Sequence, residues 1–388
     1  MSSLASERSI FDLMDSSRYS EADPKDLECF SKIFKVREHP GTLVVSEELA
    51  EKYGGLAGER RQRVLSVTNV VITQQTLFNE ERTKKPQTFF DTGVGLDDPT
   101  SGGGAACDFC QWETLTAEDE WGRVETANVV TASNLFKAHG LHGCLLFKHH
   151  DPLQFTSEQV SQLLSAADEW LQQAHAVRPD AQHPLLLWNC LPRAGASQFH
   201  GHAQIMLSSV DFPEFERLRH GALEYASSGS KSHVDPEAAV AQYYRDVARA
   251  HRAVGLLREF GTEGDKVQCY ANMSPLKDME VVLIGRHLTS SAFATALHNI
   301  LRCLIDDRGV RTFNVGISGM ALGSGQAREG SQAAQIAAPV VARIVSRGSL
   351  KSRASDFGAL ELFGGSSIGH SDPYRVMASL DDFMGKKG

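Results

Sequence analysis

The feature that most constrains the fold is a succession of elements that occurs twice along the chain. Each copy runs strand, helix, strand, a loop of small residues and a further strand. The first copy predicts strands at 142–148, 185–190 and 199–208 and a helix at 156–177. The second copy predicts strands at 279–286, 313–318 and 339–347 and a helix at 289–306. Such a repeat predicts a duplicated α+β unit.

The repeat also suggests how the chain divides. We expect an N-terminal extension at 1–60, a first half at 61–225 and a second half at 226–388. The extension is polar with weak periodicity, and the first half opens with a strand candidate at 64–73. A predicted helix at 236–257 bridges the two halves.

The composition of the 388-residue chain excludes several functional classes. Its net charge of −9 argues against broad electrostatic binding to nucleic acid or to an anionic membrane. No run approaches the roughly 20 apolar residues needed to span a bilayer, and the N-terminus has no apolar signal region. Seven scattered cysteines without such a signal favour reduced thiols. We therefore expect a cytoplasmic protein with small-molecule partners, and neither nucleic acid nor a membrane among them.

One predicted strand carries two histidines and two glutamines on the same face. Side chains alternate along a strand, so Gln198, His200, His202 and Gln204 all point to one side. A hydrogen-bonded polar face is the simple interpretation of two histidines separated by one residue. The preceding loop favours a ligand site instead, because its small residues let backbone N–H groups approach a phosphate and Ser197 adds a hydroxyl.

Cys107 and Cys110, separated by two residues, indicate a metal site. This spacing lets both thiolates reach one ion, and zinc takes cysteine and histidine ligands in a tetrahedral arrangement. Redox chemistry and simple burial are the alternatives for such a pair. We expect His150 and His200 to be the other two ligands, with His149 as the competitor of His150.

The segment that starts at Asn189 and continues through Gly195-Ala196-Ser197-Gln198-Phe199-His200-Gly201-His202-Ala203-Gln204 resembles the active-site motif of the galactose-1-phosphate uridylyltransferase family. This family is a branch of the histidine-triad superfamily that also holds ADP-glucose phosphorylase-like and diadenosine tetraphosphate phosphorylase-like enzymes. The H-x-H-x-Q ending separates the branch from the H-x-H-x-H hydrolases. The resemblance implies a duplicated histidine-triad-like fold of the α+β class, with antiparallel sheets and packed helices.

Other segments resemble the family in the same order along the chain. Residues 81–86 resemble its basic stretch, and residues 98–110 resemble its approach to the cysteine pair. Residues 147–152 resemble the strand end that bears the third metal ligand, and residues 356–369 resemble a C-terminal segment that contacts the ligand. Together the matches cover roughly residues 64–376.

The resemblance implies a role for each matching residue. His202 is expected to be the nucleophile, with Gln204 and Ser197 as the other catalytic residues. The residues expected to bind substrate are Arg82, Lys85, Asn134, Asn189, Gln198 and Glu361. The residues expected to hold a structural zinc ion are Cys107, Cys110, His150 and His200. A homodimer is implied as well.

The activity implied is transfer of a nucleoside monophosphate from a nucleotide sugar to a sugar 1-phosphate or phosphate, through a covalent nucleotidyl-histidine. A close alternative is a phosphorylase that uses inorganic phosphate to split a nucleotide sugar or a dinucleoside polyphosphate. A hydrolase is disfavoured because Gln204 replaces the third histidine of the triad. A non-catalytic, zinc-stabilised nucleotide-binding module is the alternative from another class. The second half lacks the two-histidine motif, and Arg343 in its last strand is either a phosphate contact or an exposed charge.

Overall fold

The computed structural model describes residues 8–53, 57–84, 98, 100, 104–228, 234–320, 322, 338–352 and 355–386. The strands, in chain order, are β1 Phe34–Val45, β2 Gly58–Asn69, β3 Gln74–Asn79, β4 Val129–Ser133, β5 Leu141–Phe147, β6 His183–Cys190, β7 His202–Ser208, β8 Leu257–Phe260, β9 Val267–Ala271, β10 Val281–Gly285, β11 Phe313–Ser318, β12 Val340–Ser346 and β13 Ser366–Gly369. The helices are α1 Pro24–Ile33, α2 Glu47–Tyr53, α3 Glu80–Lys84, α4 Trp112–Leu115, α5 Ser157–Val177, α6 Pro213–Ser227, α7 Pro236–Ala253, α8 Ser291–Arg302 and α9 Pro373–Gly385. Among the described helices, none combines the length and apolar character required to cross a bilayer.

A nine-stranded antiparallel sheet, ordered β4-β5-β7-β6-β11-β12-β10-β9-β8, joins the two copies of the repeat. The copies meet where β6 pairs with β11, and Trp188 lies opposite Val315 at this junction. Outward from the junction the order is β6, β7, β5 on one side and β11, β12, β10 on the other. Helices α5 and α8 occupy the same place in the two copies. The α+β class and the duplication are therefore confirmed.

The two faces of this sheet have different surroundings. Helices α5 and α8 cover one face, where Leu145 and Trp188 are at most 1% exposed. On the opposite face Leu187 lies beside Gln204 of β7 and Gly316 of β11. Because side chains alternate along each strand, His202 and Asn189 project from this second face as well. Helices α6 and α7 lie over the part of it that runs from β6 to β9.

A second, four-stranded sheet has the order β1-β2-β3-β13. Its β3–β13 pair is parallel, with Ser366 opposite Gln75, whereas the other pairs are antiparallel. Strand β1 comes from the predicted N-terminal extension, which is therefore built into the fold. The extension lacks a strong sequence pattern because most side chains of β1 are exposed. The Asp372 carboxylate holds the extension too, since it accepts hydrogen bonds from the Ser9 hydroxyl at 2.6 Å and the Ile10 N–H at 3.0 Å.

Two predicted strands have a bound that differs from the structure by three residues or more. The strand candidate at 64–73 ends at Asn69, because the Asn69 side chain accepts a hydrogen bond from the Val71 N–H at 3.1 Å and starts a turn. The strand predicted at 199–208 begins at His202, because the preceding residues extend the loop. Lys85, which was expected to bind substrate, lies outside the described residues.

Gly143 provides a test of how tightly α5 packs on the sheet. A Cβ atom at this position would lie 2.7 Å from Trp170 Nε1, and Trp170 is fully buried. We expect Gly143→Ala to lower the free energy of unfolding by about 1–3 kcal/mol, because the indole has no room to move. The matched control is Gly316→Ala on the other face, where the nearest atom to the new Cβ is Leu187 Cδ2 at 4.0 Å. Urea unfolding measures both, and equal stabilities would contradict this packing.

Candidate active site

The loop between β6 and β7 places His200 between the cysteine pair and strand β5. His200 is 1% exposed, and its Nε2–H donates a hydrogen bond to the Phe147 carbonyl at 2.6 Å. Its Nδ1 lies 3.5 Å from the Sγ atoms of both Cys107 and Cys110. With the proton on Nε2, the Nδ1 lone pair is free to bind a metal ion.

The structure brings the four predicted metal ligands together. Donor atoms of Cys107, Cys110, His150 and His200 all lie within 4.8 Å of one another. His150 Nδ1 lies 3.4 Å from Cys110 Sγ, and its Nε2 lies 3.0 Å from the Asp98 carboxylate. A carboxylate that orients a ligating imidazole in this way is a usual feature of metal sites.

The competitor His149 has different surroundings from His150. Its Nδ1 lies 3.3 Å from the side-chain amide of Gln159, at the start of α5. Its ring packs on Phe147, with the ring centroids 5.2 Å apart. His150 is therefore the histidine that this strand end directs to the cysteines.

The surroundings of the four donors also fit a bound cation. Partial desolvation and the neighbouring Cys107 raise the pKa of the Cys110 thiol to about 11, so a bound cation would be needed to hold this group as a thiolate near neutral pH. Gly104 adopts a φ of +98°, and a Cβ atom there would lie 2.7 Å from Cys110 Sγ. The backbone of this glycine therefore forms one wall of the cluster, and no larger residue fits it without displacing a ligand.

His202 is held in the tautomer that a nucleophile requires. Its Nδ1–H donates a hydrogen bond to the His200 carbonyl at 2.7 Å, which leaves the lone pair on Nε2. The side chain is 3% exposed, and burial lowers the pKa of His202, so the ring is held neutral. The edge of Phe109 packs on this ring with the centroids 5.1 Å apart and limits the access of water.

The side-chain amide of Gln204 has one possible orientation. The Ala138 N–H, which can only donate, lies 3.0 Å from His142 Nδ1. The proton of the neutral His142 ring is therefore on Nε2, which donates to Gln204 Oε1 at 2.9 Å. Burial lowers the pKa of His142 and favours this neutral form. The NH₂ group of Gln204 is left as a donor on the face that carries His202.

Asn189 is oriented by a similar chain of hydrogen bonds. The guanidinium of Arg347 cannot accept a hydrogen bond, and its Nη1 donates to Asn314 Oδ1 at 2.7 Å. Asn314 Nδ2 therefore donates to Asn189 Oδ1, also at 2.7 Å. Arg347 is itself held by Asp356, whose carboxylate lies 2.5 Å and 3.0 Å from two of its nitrogens. The NH₂ group of Asn189 is thus a second outward-facing donor beside His202.

Three of the remaining predicted residues, Ser197, Gln198 and Asn134, lie in the first half. Ser197 is exposed in the loop before His200, and Gln198 is partly exposed beside it. Asn134 lies next to His142, with Nδ2 3.3 Å from the ring. Their roles stay predictions.

The other two described residues that were expected to bind substrate have contacts in the second half. Arg82 is exposed and lies 3.1 Å from His370. Glu361 accepts a hydrogen bond from the Gly358 N–H at 3.0 Å and lies 3.4 Å from Lys277. None of their described hydrogen bonds or ion pairs is to the loop before β7, so their roles stay predictions too.

Several functional candidates were not anticipated from the sequence. They are Phe109, His142, Asn314 and Arg347. Phe109 stands between the two cysteines, so its closeness to the histidines follows once those cysteines and His200 meet. The other three depend on strand pairing between distant segments and have no local sequence signal.

Arg343 is partly buried and ion-paired, which contradicts its interpretation as an exposed charge. Its Nε donates a hydrogen bond to Glu280 Oε1 at 2.5 Å, and its Nη2 donates to Gln74 Oε1 at 2.9 Å. The Glu280 side chain is fully buried. The arginine is therefore half of an internal ion pair, at the place where the repeat would put a second histidine motif.

The comparisons with known proteins identify the fold. A scan against protein-family models finds no match, and a search of curated proteins finds none either. Among solved structures, the ADP-glucose phosphorylase from Arabidopsis thaliana with bound ADP-glucose matches with a TM-score of 0.57 and 16% identity, over 80% of this chain and 95% of that one.

Two further solved structures agree. A galt-like protein from Arabidopsis thaliana matches with a TM-score of 0.57 and 14% identity, over 81% of this chain and 97% of that one. A uridylyltransferase mutant matches with a TM-score of 0.52 and 14% identity, over 68% of this chain and 91% of that one. At these identities the likeness establishes the fold, and the fold implied by the active-site motif is confirmed.

The paired histidines at the end of β5 allow the metal cluster to be tested. We expect His150→Ala to reduce the metal content of the purified chain at least severalfold, because a ligand is lost. His149→Ala is the matched control and should keep the metal content of the unmodified chain. Inductively coupled plasma mass spectrometry measures both. Loss of metal in the His149 variant alone would show that the ligand set is wrong.

Proposed function

We propose that this protein is a nucleotidylyltransferase that moves a nucleoside monophosphate between phosphate groups through a covalent intermediate on His202. The observation that carries the proposal is the hydrogen bond from His202 Nδ1–H to the His200 carbonyl. It leaves an unprotonated Nε2 on the sheet face where two amide NH₂ groups are presented. A neutral imidazole so oriented is suited to attack phosphorus.

In the first step the Nε2 lone pair attacks the phosphorus that bears the nucleoside. A P–N bond forms, and the P–O bond to the rest of the donor breaks. The electron pair leaves with that oxygen, on a sugar 1-phosphate when the donor is a nucleotide sugar. His202 keeps its Nδ1 proton throughout, and the positive charge that develops on the ring is stabilised by the His200 carbonyl.

In the second step an oxygen of the acceptor phosphate attacks the same phosphorus. The P–N bond breaks, its electron pair returns to Nε2, and the neutral imidazole is restored. The acceptor is a sugar 1-phosphate or inorganic phosphate. Because the two steps are the same displacement in opposite directions, one set of groups serves both of them.

The amide groups of Gln204 and Asn189 supply the stabilisation that both steps need. Negative charge accumulates on the non-bridging oxygens of the phosphorus in each transition state. Donors whose orientation is fixed beforehand act on this charge without reorganising, and the loss of one such donor typically costs about 10²–10³ in rate. The hydroxyl of Ser197 and the amide of Gln198 are proposed as further phosphate contacts from the loop.

The metal is proposed to be zinc with a structural role. Two thiolates and two imidazoles are the donor set that zinc favours, and four protein ligands leave no position open for substrate. Bound there, the ion would tie the segment of Cys107 and Cys110 to His200, two residues before the nucleophile. Phe109, which covers His202, lies on this same segment.

The substrate class is proposed from the resemblance and the comparisons together. The ADP-glucose phosphorylase of the same fold holds ADP-glucose, which supports a nucleotide sugar as donor and makes a phosphorylase the second candidate. Arg82, Lys85, Asn134 and Glu361 are proposed to contact such a substrate. A homodimeric assembly and a cytoplasmic location are proposed from the resemblance and from the sequence.

The covalent intermediate can be detected directly. We expect incubation with a radiolabelled nucleotide sugar or dinucleoside polyphosphate to label the chain with a phosphoramidate that is stable to base and labile to acid. His202→Ala should abolish the label, whereas His220→Ala, which changes an exposed residue of α6, should keep it. A label that persists in the His202 variant would contradict the proposal. So would the absence of any label across UDP-, GDP- and ADP-linked donors.

The role of Gln204 can be tested through its partner. Gln204→Ala should lower the rate of labelling about 10²-fold, and His142→Ala about tenfold, because the freed amide no longer points its NH₂ group in one direction. If His142 acts through Gln204, the double variant should react at the rate of Gln204→Ala alone. His139→Ala, in the segment just before β5, is the control and should react normally. Independent, multiplicative losses in the double variant would refute the coupling.

A further inference from the structure

The loop between β6 and β7 begins with a strained residue. Leu191, which directly follows β6, has a φ of +70° and a ψ of 161°. Only glycine enters this region of backbone conformation readily, because a side chain there clashes with the neighbouring peptide groups. Such a conformation persists in a folded chain only where the surrounding structure enforces it. The groups that hold Leu191 therefore determine the path of the loop.

The loop folds back on the backbone of this strained residue. The Leu191 carbonyl accepts hydrogen bonds from the Ala194 N–H at 3.0 Å and the Ala196 N–H at 3.2 Å. The compact turn that results leads directly into Ser197 and Gln198, which are proposed to contact phosphate. A rotation of the backbone at Leu191 would redirect its carbonyl and open this turn.

Two local restraints on Leu191 are not sufficient to explain its conformation. Its side chain is 2% exposed and belongs to the main hydrophobic core, which fixes the position of the residue. The next residue is Pro192, and a proline excludes the helical region for the residue before it. Both restraints would be satisfied by an ordinary extended conformation with negative φ. A further restraint must therefore act on the chain beyond Pro192.

Arg193 supplies this restraint from the second half. Its Nε donates a hydrogen bond to the Arg347 carbonyl at 2.7 Å, and its Nη1 donates to the Ser352 carbonyl at 2.8 Å. Both carbonyls lie in the segment that follows β12. Because the guanidinium is planar and its donors have fixed relative directions, the two bonds set the orientation of the turn as well as its position.

The position of the turn also affects the amide donors beside the nucleophile. Asn314 Nδ2 donates to the Ala194 carbonyl at 2.8 Å and to Asn189 Oδ1 at 2.7 Å. The residue whose carbonyl accepts the bond from Arg193 is Arg347, and its guanidinium orients Asn314. A displaced turn would therefore disturb Asn314 and, through it, the NH₂ group of Asn189.

We infer that Arg193 is a positioning residue for the transfer reaction. By binding two carbonyls of the second half, it keeps Leu191 in its strained conformation and keeps the loop in the form that reacts. This role rests on the function proposed for His202. When Arg193 is removed, the strain at Leu191 is released, the turn opens, and the groups that contact phosphate lose their fixed placement.

Hydrogen exchange measured by mass spectrometry tests the hold on the loop without any substrate. We expect Arg193→Ala to speed the exchange of the Ala194 and Ala196 amides at least tenfold, whereas the amides of α5 should exchange as before. Arg302→Ala is the matched control, because Arg302 Nη1 also joins the halves by donating to a carbonyl, that of Leu153 at 2.6 Å. It should leave the exchange of the loop unchanged. Unchanged exchange in Arg193→Ala would overturn the inference.

The rate of labelling tests whether the hold matters for the reaction. At a saturating nucleotide donor, Arg193→Ala should label His202 at least tenfold more slowly, with less than a threefold change in the donor concentration that gives half the maximal rate. Arg193→Lys should give an intermediate rate, since an ammonium group lacks the planar fork. Arg302→Ala should react normally. A normal maximal rate in Arg193→Ala, a loss confined to the half-maximal concentration, or an equal loss in Arg302→Ala would each overturn the inference.

These outcomes are separable from the outcome for the transfer reaction itself. Faster exchange of the loop in Arg193→Ala, in a chain that no nucleotide donor labels, supports the hold on the loop and refutes the transfer. A label on His202 whose rate is the same in Arg193→Ala, with unchanged exchange of the loop, supports the transfer and refutes the role of Arg193.

Discussion

The arrangement around His202 depends on the fixation of His200 at both ring nitrogens. Nε2–H is bonded to the Phe147 carbonyl, and Nδ1 faces the two cysteines. A residue held in this way cannot rotate, so its backbone carbonyl also has a fixed direction. That carbonyl accepts the Nδ1 proton of His202 and thereby determines which nitrogen of His202 carries the lone pair. The Cys/His cluster and the reactivity of the next histidine in the motif are linked through one peptide group.

The same logic extends to the two amides beside His202. An amide side chain can normally turn over and exchange its donor and acceptor ends. Here each amide is anchored, directly or through one intermediate, to a group that cannot reverse its role: the Ala138 N–H for Gln204 and the Arg347 guanidinium for Asn189. Arg347 and Asn314 belong to the second half. That half therefore contributes to the site in the first half, although it has lost any histidine motif of its own.

Much of the fold and site could be predicted from the sequence because their signals are local. The helix predicted at 156–177, the strands of the repeat and the spacing of Cys107 and Cys110 need no knowledge of distant contacts. Strand β3 was missed because residues 64–73 are rich in β-branched side chains and resemble a single strand, although a turn starts where the Asn69 side chain accepts a hydrogen bond from the Val71 N–H. His142 was missed because its importance comes from facing Gln204, 62 residues away along the chain.

The parallel pairing of β13 with β3 has a consequence for biosynthesis. Residues 366–369 complete a sheet whose other strands lie between residues 34 and 79. During translation, β3 must therefore wait with one edge unpaired while nearly 300 further residues emerge from the ribosome. Contacts of such sequence separation form slowly, since closing a long loop is entropically costly. The small sheet is thus completed only after every strand of the large sheet has been synthesised, and its open edge stays available to unwanted strand pairing until then.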